Sequence, residues 1–563
     1  MMDLNRKIRF GVMVDGDTIE QWQYDTIAML VDNGIKLCLI IKNGDQSKPY
    51  KSFGDKVLHY PYRQILFRFW HRYWFKPEAK KQTNFTDEIS RFRFASLEMT
   101  NEDSVISTEV EKSPTIITVM PIKKGISTYF KDENIETIKS YNLDFILRFG
   151  FDIVRGEVLK SAKYGIWSFH HDDERVVRGG PPGFWEFMRK IPSNGIILQQ
   201  LTDELDKGLI LKRLQFDTVL HSYKFHLNRL LTESEFMPLQ VCKDLIVNGK
   251  LESELSQSKA PILHPPKNFR MICYFWLCIW RKIVFHWNYY FRQEDWNVGY
   301  YYNKSDIHWL KPPKTDYFAD PFIISNNKDT HLFFEWFSNK KGKADLAVAK
   351  KSENFEIYHK ITDFPEHRSY PYVFEYQGEI YCIPEANKNG KLSLYKFEND
   401  KLFFDCDLLE GRYVDSTLHH HSDGKWYLFT TPQEQSHTHL LIFVADDLRG
   451  PYRPHFNSPV KVDCSNSRMA GTIQNIDGEM VRPAQNSTRH YGESITLNKI
   501  IQLNEYQYIE ENIKEIKPDK EWTYNQGIHT INSDGKITVF DAKRFTFTWA
   551  GFVQQIRQKT KKL

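Results

Sequence analysis

The sequence predicts two folds in one chain, an α/β domain with a parallel-sheet core and then an all-β five-bladed propeller. Three observations predict this. The first 250 residues open strand–helix–strand and return repeatedly to short apolar strands separated by helical patterns. Five later segments repeat one form, a polar turn followed by a β-rich strand. At 563 residues, the chain is long enough for two or more domains, each with its own core.

Composition narrows the class. Aromatic residues make up 15% and charged residues 26%, which describes a soluble globular chain rich in β-formers. A net charge of +4 is too mild to argue for a nucleic-acid partner. The 7 Cys are scattered, without metal-spaced pairs. They suit a reducing cytosol with no disulfide framework, and no metal site is expected. The apolar run before Asp15 is short and reads as a first strand, not a signal peptide. A cytoplasmic location is therefore expected.

The first strand runs from Ile8 to Val14, a helical pattern follows through Trp22, Ile27, Leu30 and Val31, and Lys36 to Ile41 is the next strand. Tyr60 to Trp74 is a basic aromatic segment with a helical pattern. The stretch from there to about Val110 is polar and irregular. Thr115 to Pro121 and Asp144 to Arg148 read as buried strands around a helix from Asn134 to Tyr141. Asn194 to Gln200 and Gly208 to Phe216 are two more strands, and Ser222 to Lys243 reads as one closing helix.

Between these elements lies the stretch with the most chemistry. Ser168, His170, His171 and Asp172 end an apolar run, an Arg178-Gly179-Gly180-Pro181-Pro182 turn follows, and an isolated Asp206-x-Gly208 comes later. A polar cluster on a loop after a buried strand is a usual place for function in an α/β protein. A His within reach of a carboxylate can move protons near pH 7. Capping and solvating loops would explain the same residues.

The stretch resembles the formyltransferase family, enzymes that use 10-formyltetrahydrofolate and include the methionyl-tRNA and sugar-nucleotide enzymes. His170 falls on the family His, Arg178-Gly179 on the Arg-Gly and Pro182 on the Pro, without insertion or deletion. Leu205-Asp206-Lys207-Gly208 falls on the Leu-Asp-x-Gly, whereas Ser168 stands where the family has Asn. The resemblance covers residues 8 to 215 and implies a Rossmann-like sheet. It also implies that Phe151, Ile153, Val154 and Arg155 form the folate-side wall, with Arg178, Gly179 and Pro182 shaping the pocket. His170 would take the amine proton or hold the oxyanion, Asp206 would orient His170, and the Ser168 hydroxyl would replace the Asn amide as oxyanion donor. Losing one such donor typically costs about 10²–10³ in turnover.

Leu251 to Lys267 reads as a polar linker, so domain boundaries are expected at 1–250, 251–294, 295–545 and 546–563, the last a basic tail. Phe269 to Trp296 is the most apolar and aromatic piece, but Arg281-Lys282 in its middle argues against a membrane span. A helix packed between domains is expected, with an interfacial membrane helix over 269–292 as the other reading.

The repeated segments begin at Asn326, Tyr376, Ser422, Ile476 and Ser533. Their period of about 46 to 57 residues is one four-stranded blade each. If the strand before each hairpin is innermost, Asp320, Tyr370, Asp415, Ala470 and His529 ring one mouth of the channel. The returning strands bring Glu335, Glu385, Thr430, Arg482 to Gln485 and Asp541 to that mouth, with Arg468 and Trp336 nearby. Asp320, Glu335, Glu385, Asp415, Arg468 and His529 are thus candidates for a ligand site. Bonds between neighbouring blades would explain them equally.

Ala319-Asp320-Pro321-Phe322 is similar to the opening strand of family 43-type glycoside hydrolases, whose Asp there is a general base, but Tyr370 breaks the expected triad. WNVGYYY, ADPF, SYPYVFE, IPEA and HTIN together look more like the N-terminal propeller of the plant glucosaminyltransferases acting on inositol phosphorylceramide. This resemblance covers about residues 294 to 545 and implies glycan or glycolipid binding.

The expected activity is formyl transfer from 10-formyltetrahydrofolate to an amino sugar on a nucleotide or lipid carrier. A glycan-binding or glycosyl-processing protein with a degenerate formyltransferase-like half is the alternative. Transfer to initiator tRNA and hydrolysis of formyltetrahydrofolate are weaker family readings.

Overall fold

The computed structural model describes residues 6–45, 62–85, 113–204, 208–256, 260–303, 306–325, 329–361, 364–385 and 390–560. The chain divides into two compact units, Met1–Leu214 with Thr218–Trp280, and Gln215–Asp217 with Arg281–Leu563.

The first unit is built on β1 (Arg9–Val14), α1 (Gln21–Asp32), β2 (Lys36–Asn43), α2 (Ile65–Tyr73), β3 (Thr115–Val119) and α3 (Asp132–Lys139). It continues through β4 (Phe145–Arg148), β5 (Ile166–His170), α4 (Phe184–Arg189), β6 (Ser193–Gln200) and β7 (Leu209–Asp217). Then come α5 (Tyr223–Thr232), α6 (Met237–Asn248), β8 (Glu254–Leu255) and α7 (Asn268–Phe291). One sheet runs β8-β7-β6-β5-β4-β1-β2-β3. Its β3-β2-β1-β4-β5 part is parallel, and β6 is antiparallel to β5.

Apolar runs without alternation make the central strands, as burial on both faces requires. β1 and β4 are almost wholly buried. α1 starts with a capping box between Glu20 and Gln23 and turns Trp22, Ile27 and Leu30 inward at helical spacing. α3 sets Ile135 and Ile138 against Met13, Leu39, Ile41 and Ile146.

Four expectations are corrected here. β3 is an edge strand and mostly exposed, because only β2 pairs with it. The single closing helix is two, because the chain between α5 and α6 carries Glu233–Phe236 through a turn before Pro238 opens a new helix. The linker reading is too simple, since Glu254–Leu255 pairs with β7 and Ile262–Leu263 pairs with Arg178–Gly179. The aromatic segment is helical only to Phe291; Gln293–Tyr301 is already a strand of the propeller.

The second unit has five blades, four of them four-stranded and the third with a fifth short strand, Lys461–Val462, paired to His439–Ala445. Their inner strands are Asp316–Ser325, Ser369–Tyr376, Tyr413–His420, Gln474–Ile476 and Ile531–Ser533. Tight turns set the hairpins. Gln377-Gly378 and Asp477-Gly478 all have positive φ, the backbone that a two-residue hairpin loop needs. Asn326, which opens the first repeat, lies outside the described residues. The last blade takes its outer strands from the start of the unit: Gln293–Tyr301 runs antiparallel to Thr538–Thr546 along its whole length. That pairing closes the ring.

The first three blades share a local distortion. Register slips between Ala319 and Phe322, between Ser369 and Tyr372, and between Val414 and Thr417. At each slip a non-glycine residue is left-handed: Asp320 (φ 50°), Tyr370 (φ 43°) and Asp415 (φ 49°). Such backbone is held only where surroundings over-determine it, and it re-aims one side chain per blade toward the axis.

Candidate functional site

Two groups of residues stand out, one in each unit. In the first unit, β4 and β5 end side by side, where open α/β sheets place ligands. A cleft of about 220 Å³ opens there, lined by Arg148, Asp152 to Arg155, His170, Gln199 and Gly208 among others. His170 is partly exposed, with Nε2 3.9 Å from the buried Asp172. Asp206, expected to orient His170, lies outside the described residues.

The turn before the cleft is held from β1. Asp15 accepts from the Phe151 amide at 2.8 Å and from Asn43 at 3.0 Å. Phe151 itself has φ 68° and is buried against Phe130, so it is core and not wall. Ile153, Val154 and Arg155 do line the cleft.

Ser168 is buried, and its hydroxyl is occupied. It accepts from Arg148 Nε at 3.3 Å and Nη2 at 2.9 Å, and donates to the Phe169 carbonyl at 3.4 Å. Arg148 also reaches the carbonyls of Gly150 and Asp152. Burial lowers the pKa of this guanidinium, opposed by Asp15 and Asp152. Ser168 does not line the cleft, whereas Arg148, half-buried, lines it as a donor. Nothing in the sequence marks it, because it reads as the last residue of an apolar strand.

Arg178, Gly179 and Pro182 do not reach the cleft. Arg178 donates to the Ala260 carbonyl at 2.6 Å, Gly179 pairs with Leu263, and the Pro182 carbonyl accepts from Tyr223. Gly179 has φ 101°, and a Cβ there would lie 2.0 Å from the Leu263 oxygen, so this turn needs glycine. Behind His170 lies a carboxyl pair, Asp172 of the predicted cluster and Glu186, which sequence reasoning missed. Burial raises both Asp172, which accepts from the Gly183 amide at 2.8 Å, and Glu186, pushed up to about 7. Neither Glu186 oxygen finds a hydrogen-bond partner beyond its own amide. His171 is buried too and falls to about 3.

In the second unit all six predicted ring residues are buried. His529 bridges two carboxylates, with Nδ1 2.8 Å from Asp541 and Nε2 3.2 Å from Asp320. Burial alone would lower this imidazole, but Asp541 and Asp320 overcome it and raise it to about 10. Burial likewise works against the charge of Asp320, and His529 holds it down at about 2. Asp320 also accepts from the Tyr370 amide and the Thr530 hydroxyl, while Asp541 accepts from the Asp320 amide. These bonds tie the last blade to the first two, so Asp320 and His529 lock the ring.

Ligand atoms of Asp320, His529 and Asp541 fall within 4.8 Å of one another, close enough for a cation. Both imidazole nitrogens are committed to carboxylates in the protonated ring, which does not suit a metal ligand.

The remaining groups form a second set. Asp415 accepts from Arg468 Nε and from Gln485 Nε2. Burial works against the Arg468 charge, and Asp415 holds it on the guanidinium. Burial raises Glu335, and Asp320 adds to the rise. Burial and Asp415 push Glu385 up to about 8, so each aspartate has a glutamic acid beside it. Gln485 Oε1 is buried without a partner, and Tyr491 packs 5.0 Å from the Arg468 guanidinium and 5.1 Å from His529. Two expected neighbours are elsewhere. Trp336 bonds to Asp316 and packs on Tyr358 on the outer side of its blade, and Arg482 pairs with Glu510.

Residues 295–542 match the family described as glucosamine inositolphosphorylceramide transferase 1, N-terminal. The glucosamine inositolphosphorylceramide transferase 1 of Oryza sativa subsp. japonica is 29% identical over 250 residues, 41% of this chain and 34% of that protein. The protein of the same name from Arabidopsis thaliana is 31% identical over 206 residues, 35% of this chain and 27% of that one. The chain thus spans about a third or less of the length of these curated relatives. Among solved structures, a family 117 glycoside hydrolase of Zobellia galactanivorans covers 45% of this chain and 91% of its own, at 13% identity and TM-score 0.30. A sugar 3N-formyl transferase covers 46% and 70%, at 10% identity and TM-score 0.26.

Proposed function

We propose that this chain is a glycan-modifying protein whose propeller recognises a sugar carried on a phosphate-bearing lipid or headgroup. One observation carries the reading. The segment that matches the plant transferase family is the same segment that completes five blades around Arg468, Glu385 and Gln485. A protonated Glu385 donates to a sugar oxygen, the open Gln485 oxygen accepts from a hydroxyl, and Arg468 supplies positive charge for a phosphate. The name shared by the relatives, glucosamine inositolphosphorylceramide transferase 1, supports an inositolphosphorylceramide-type ligand for this reading.

The ring is not read as a hydrolase. Hydrolysis of a glycoside needs two carboxyl groups at a set separation across the scissile bond. Here Asp320 is spent on His529, Thr530 and the Tyr370 amide, and Tyr370 fills the next blade's position. The test is binding of the full chain to a soluble inositol-phosphate glycan, with Glu385→Gln as the variant.

A second reading rests on the cleft beside His170. Its wall of residues 152 to 155 and its position at the strand ends suit a flat heterocycle such as the pterin of 10-formyltetrahydrofolate. In that reading His170 takes the amine proton and Arg148, in place of Ser168, faces the developing oxyanion. The acceptor in that reading is an amino sugar.

A further inference from the structure

α7 is apolar on two opposite sides. One side is buried: Met271 and Tyr274 pack into the aromatic cluster of Trp70, Phe184 and Tyr223. The other points outward and carries Phe269, Ile272, Trp276, Trp280, Ile283 and Trp287, spaced three or four residues apart. Trp276 is 70% exposed, Trp280 63% and Trp287 62%. A soluble helix turns polar residues to water, and a continuous apolar stripe of this length marks an interaction surface.

The charges on this helix and on the helices packed at its two ends are of one sign. α7 holds Arg270, Arg281 and Lys282 and no Asp or Glu. α2, in the same unit as the first half of α7, exposes Ile65, Phe69 and Tyr73 and holds Arg68 and Arg72. It is tied to the start of α7 by Asn268, whose side chain accepts from the Leu66 amide and donates to the Tyr62 carbonyl. In the other unit, Trp549–Thr560 forms a helix, α8, beside the last turn of α7, with Phe552 against Tyr290 and Phe291. It exposes Trp549, Val553 and Ile556 and holds Arg557 and Lys559. None of the three helices contains an acidic residue.

We propose that the outward face of α7 is a binding surface for an anionic lipid bilayer, on which the helix lies in the plane of the headgroups. Indole rings favour that depth, where the ring is in an apolar layer and the N–H reaches polar groups. The arginines and lysines carried by these helices supply positive charge for lipid phosphates and carboxylates. Among the described residues no helix is long and apolar enough to cross a membrane, and Arg281-Lys282 sits at the middle of this one. A second copy fits less well. Two copies packed through these helices would bring together elements that carry cations and no Asp or Glu. This inference stands whichever reading of the two sites holds.

The test is flotation of the full-length protein with vesicles of phosphatidylcholine alone and with roughly 30 mol % phosphatidylserine. The bound fraction should be about tenfold or more higher on the anionic vesicles and should fall as salt is raised. Trp276→Glu with Trp280→Glu should cut binding about tenfold or more, because charge at both sites opposes insertion. Both side chains are exposed, so the melting temperature should not change, and Trp276→Phe with Trp280→Phe should keep most of the binding. Equal binding to both vesicles, or none to either, overturns the proposal. So does a double-Glu variant that floats normally but turns a wild-type dimer into a monomer, which would assign the face to a second copy.

Discussion

The guanidinium of Arg148 donates two hydrogen bonds to the hydroxyl of Ser168, at 3.3 Å and 2.9 Å, across neighbouring strands. A short residue at 168 and a long cation at 148 fill one space together. Ser168→Asn alone therefore crowds Arg148 and should cost about 1–3 kcal/mol, the usual penalty of overpacking. Arg148→Ala alone leaves the part-buried acceptors on Ser168 and Gly150 without their donor and should cost at least as much. The double variant should be more stable than the sum of the singles predicts, by urea denaturation. Strict additivity would show that the two positions do not share the space.

Glu186 is an internal weakness of the first unit. Its folded pKa of about 7 exceeds the ordinary 4.5, so the folded state keeps a proton that the unfolded state has lost. Stability therefore falls as pH rises from 4.5 to 7 and is level above that. Glu186→Gln removes this fall, and at pH 8 it should stabilise by about 1–3 kcal/mol. A destabilised variant at pH 8 would mean that the carboxylate has a partner that matters.

The propeller should lose stability toward alkaline pH. His529 is raised to about 10 in the folded state, so its contribution is complete below pH 6.5 and disappears as pH climbs to 10. Glu385 at about 8 acts in the same direction between pH 4.5 and 8. Asp320, at about 2, contributes above pH 3.8 and loses that contribution as pH falls to 2. Maximum stability is expected near pH 4 to 5, with each bound proton costing up to about 1.4 kcal/mol per pH unit above it. Thermal melts across this range check it. Glu385→Gln should flatten the slope between pH 4.5 and 8, and an unchanged slope would contradict the assignment.

Much of this was legible in the sequence, for physical reasons. Turns such as Gln377-Gly378 and Asp477-Gly478 need positive φ, and glycine at a fixed period exposes that need directly. The inner strands follow from the hairpins, so Asp320, Tyr370, Asp415 and His529 converge as expected. Closure of the last blade by Gln293–Tyr301 was not legible, because a partner far away in sequence leaves no local pattern. Arg148 and Glu186 were missed because each sits inside an apolar run, and burial of one charge among hydrophobic neighbours shows only in three dimensions. The ring's division into a lock and a freer set was hidden as well, since hydrogen bonds between blades cannot be read from residue types.

The second reading has its own check. Calorimetry of the full chain with 5-formyltetrahydrofolate, a stable analogue, should show binding that Arg148→Ala weakens and His170→Ala leaves nearly intact. Formyl transfer to an amino sugar should then fall by about 10² or more in His170→Ala. Absence of folate binding by the folded protein would leave the first unit without the chemistry its motif implies.

The measurement closest to the main claim is calorimetric titration of the full chain with an inositol-phosphate glycan headgroup. Wild type should bind, and inositol lacking phosphate should bind about tenfold or more weakly, because the ligand then brings no second anion to the Arg468 guanidinium beside Asp415. Glu385→Gln mimics the protonated acid and should keep both the fold and most of the affinity at pH 7, whereas Glu385→Leu should lose it. No heat of binding from a folded wild-type protein, or equal binding by wild type and Glu385→Leu, would contradict the account.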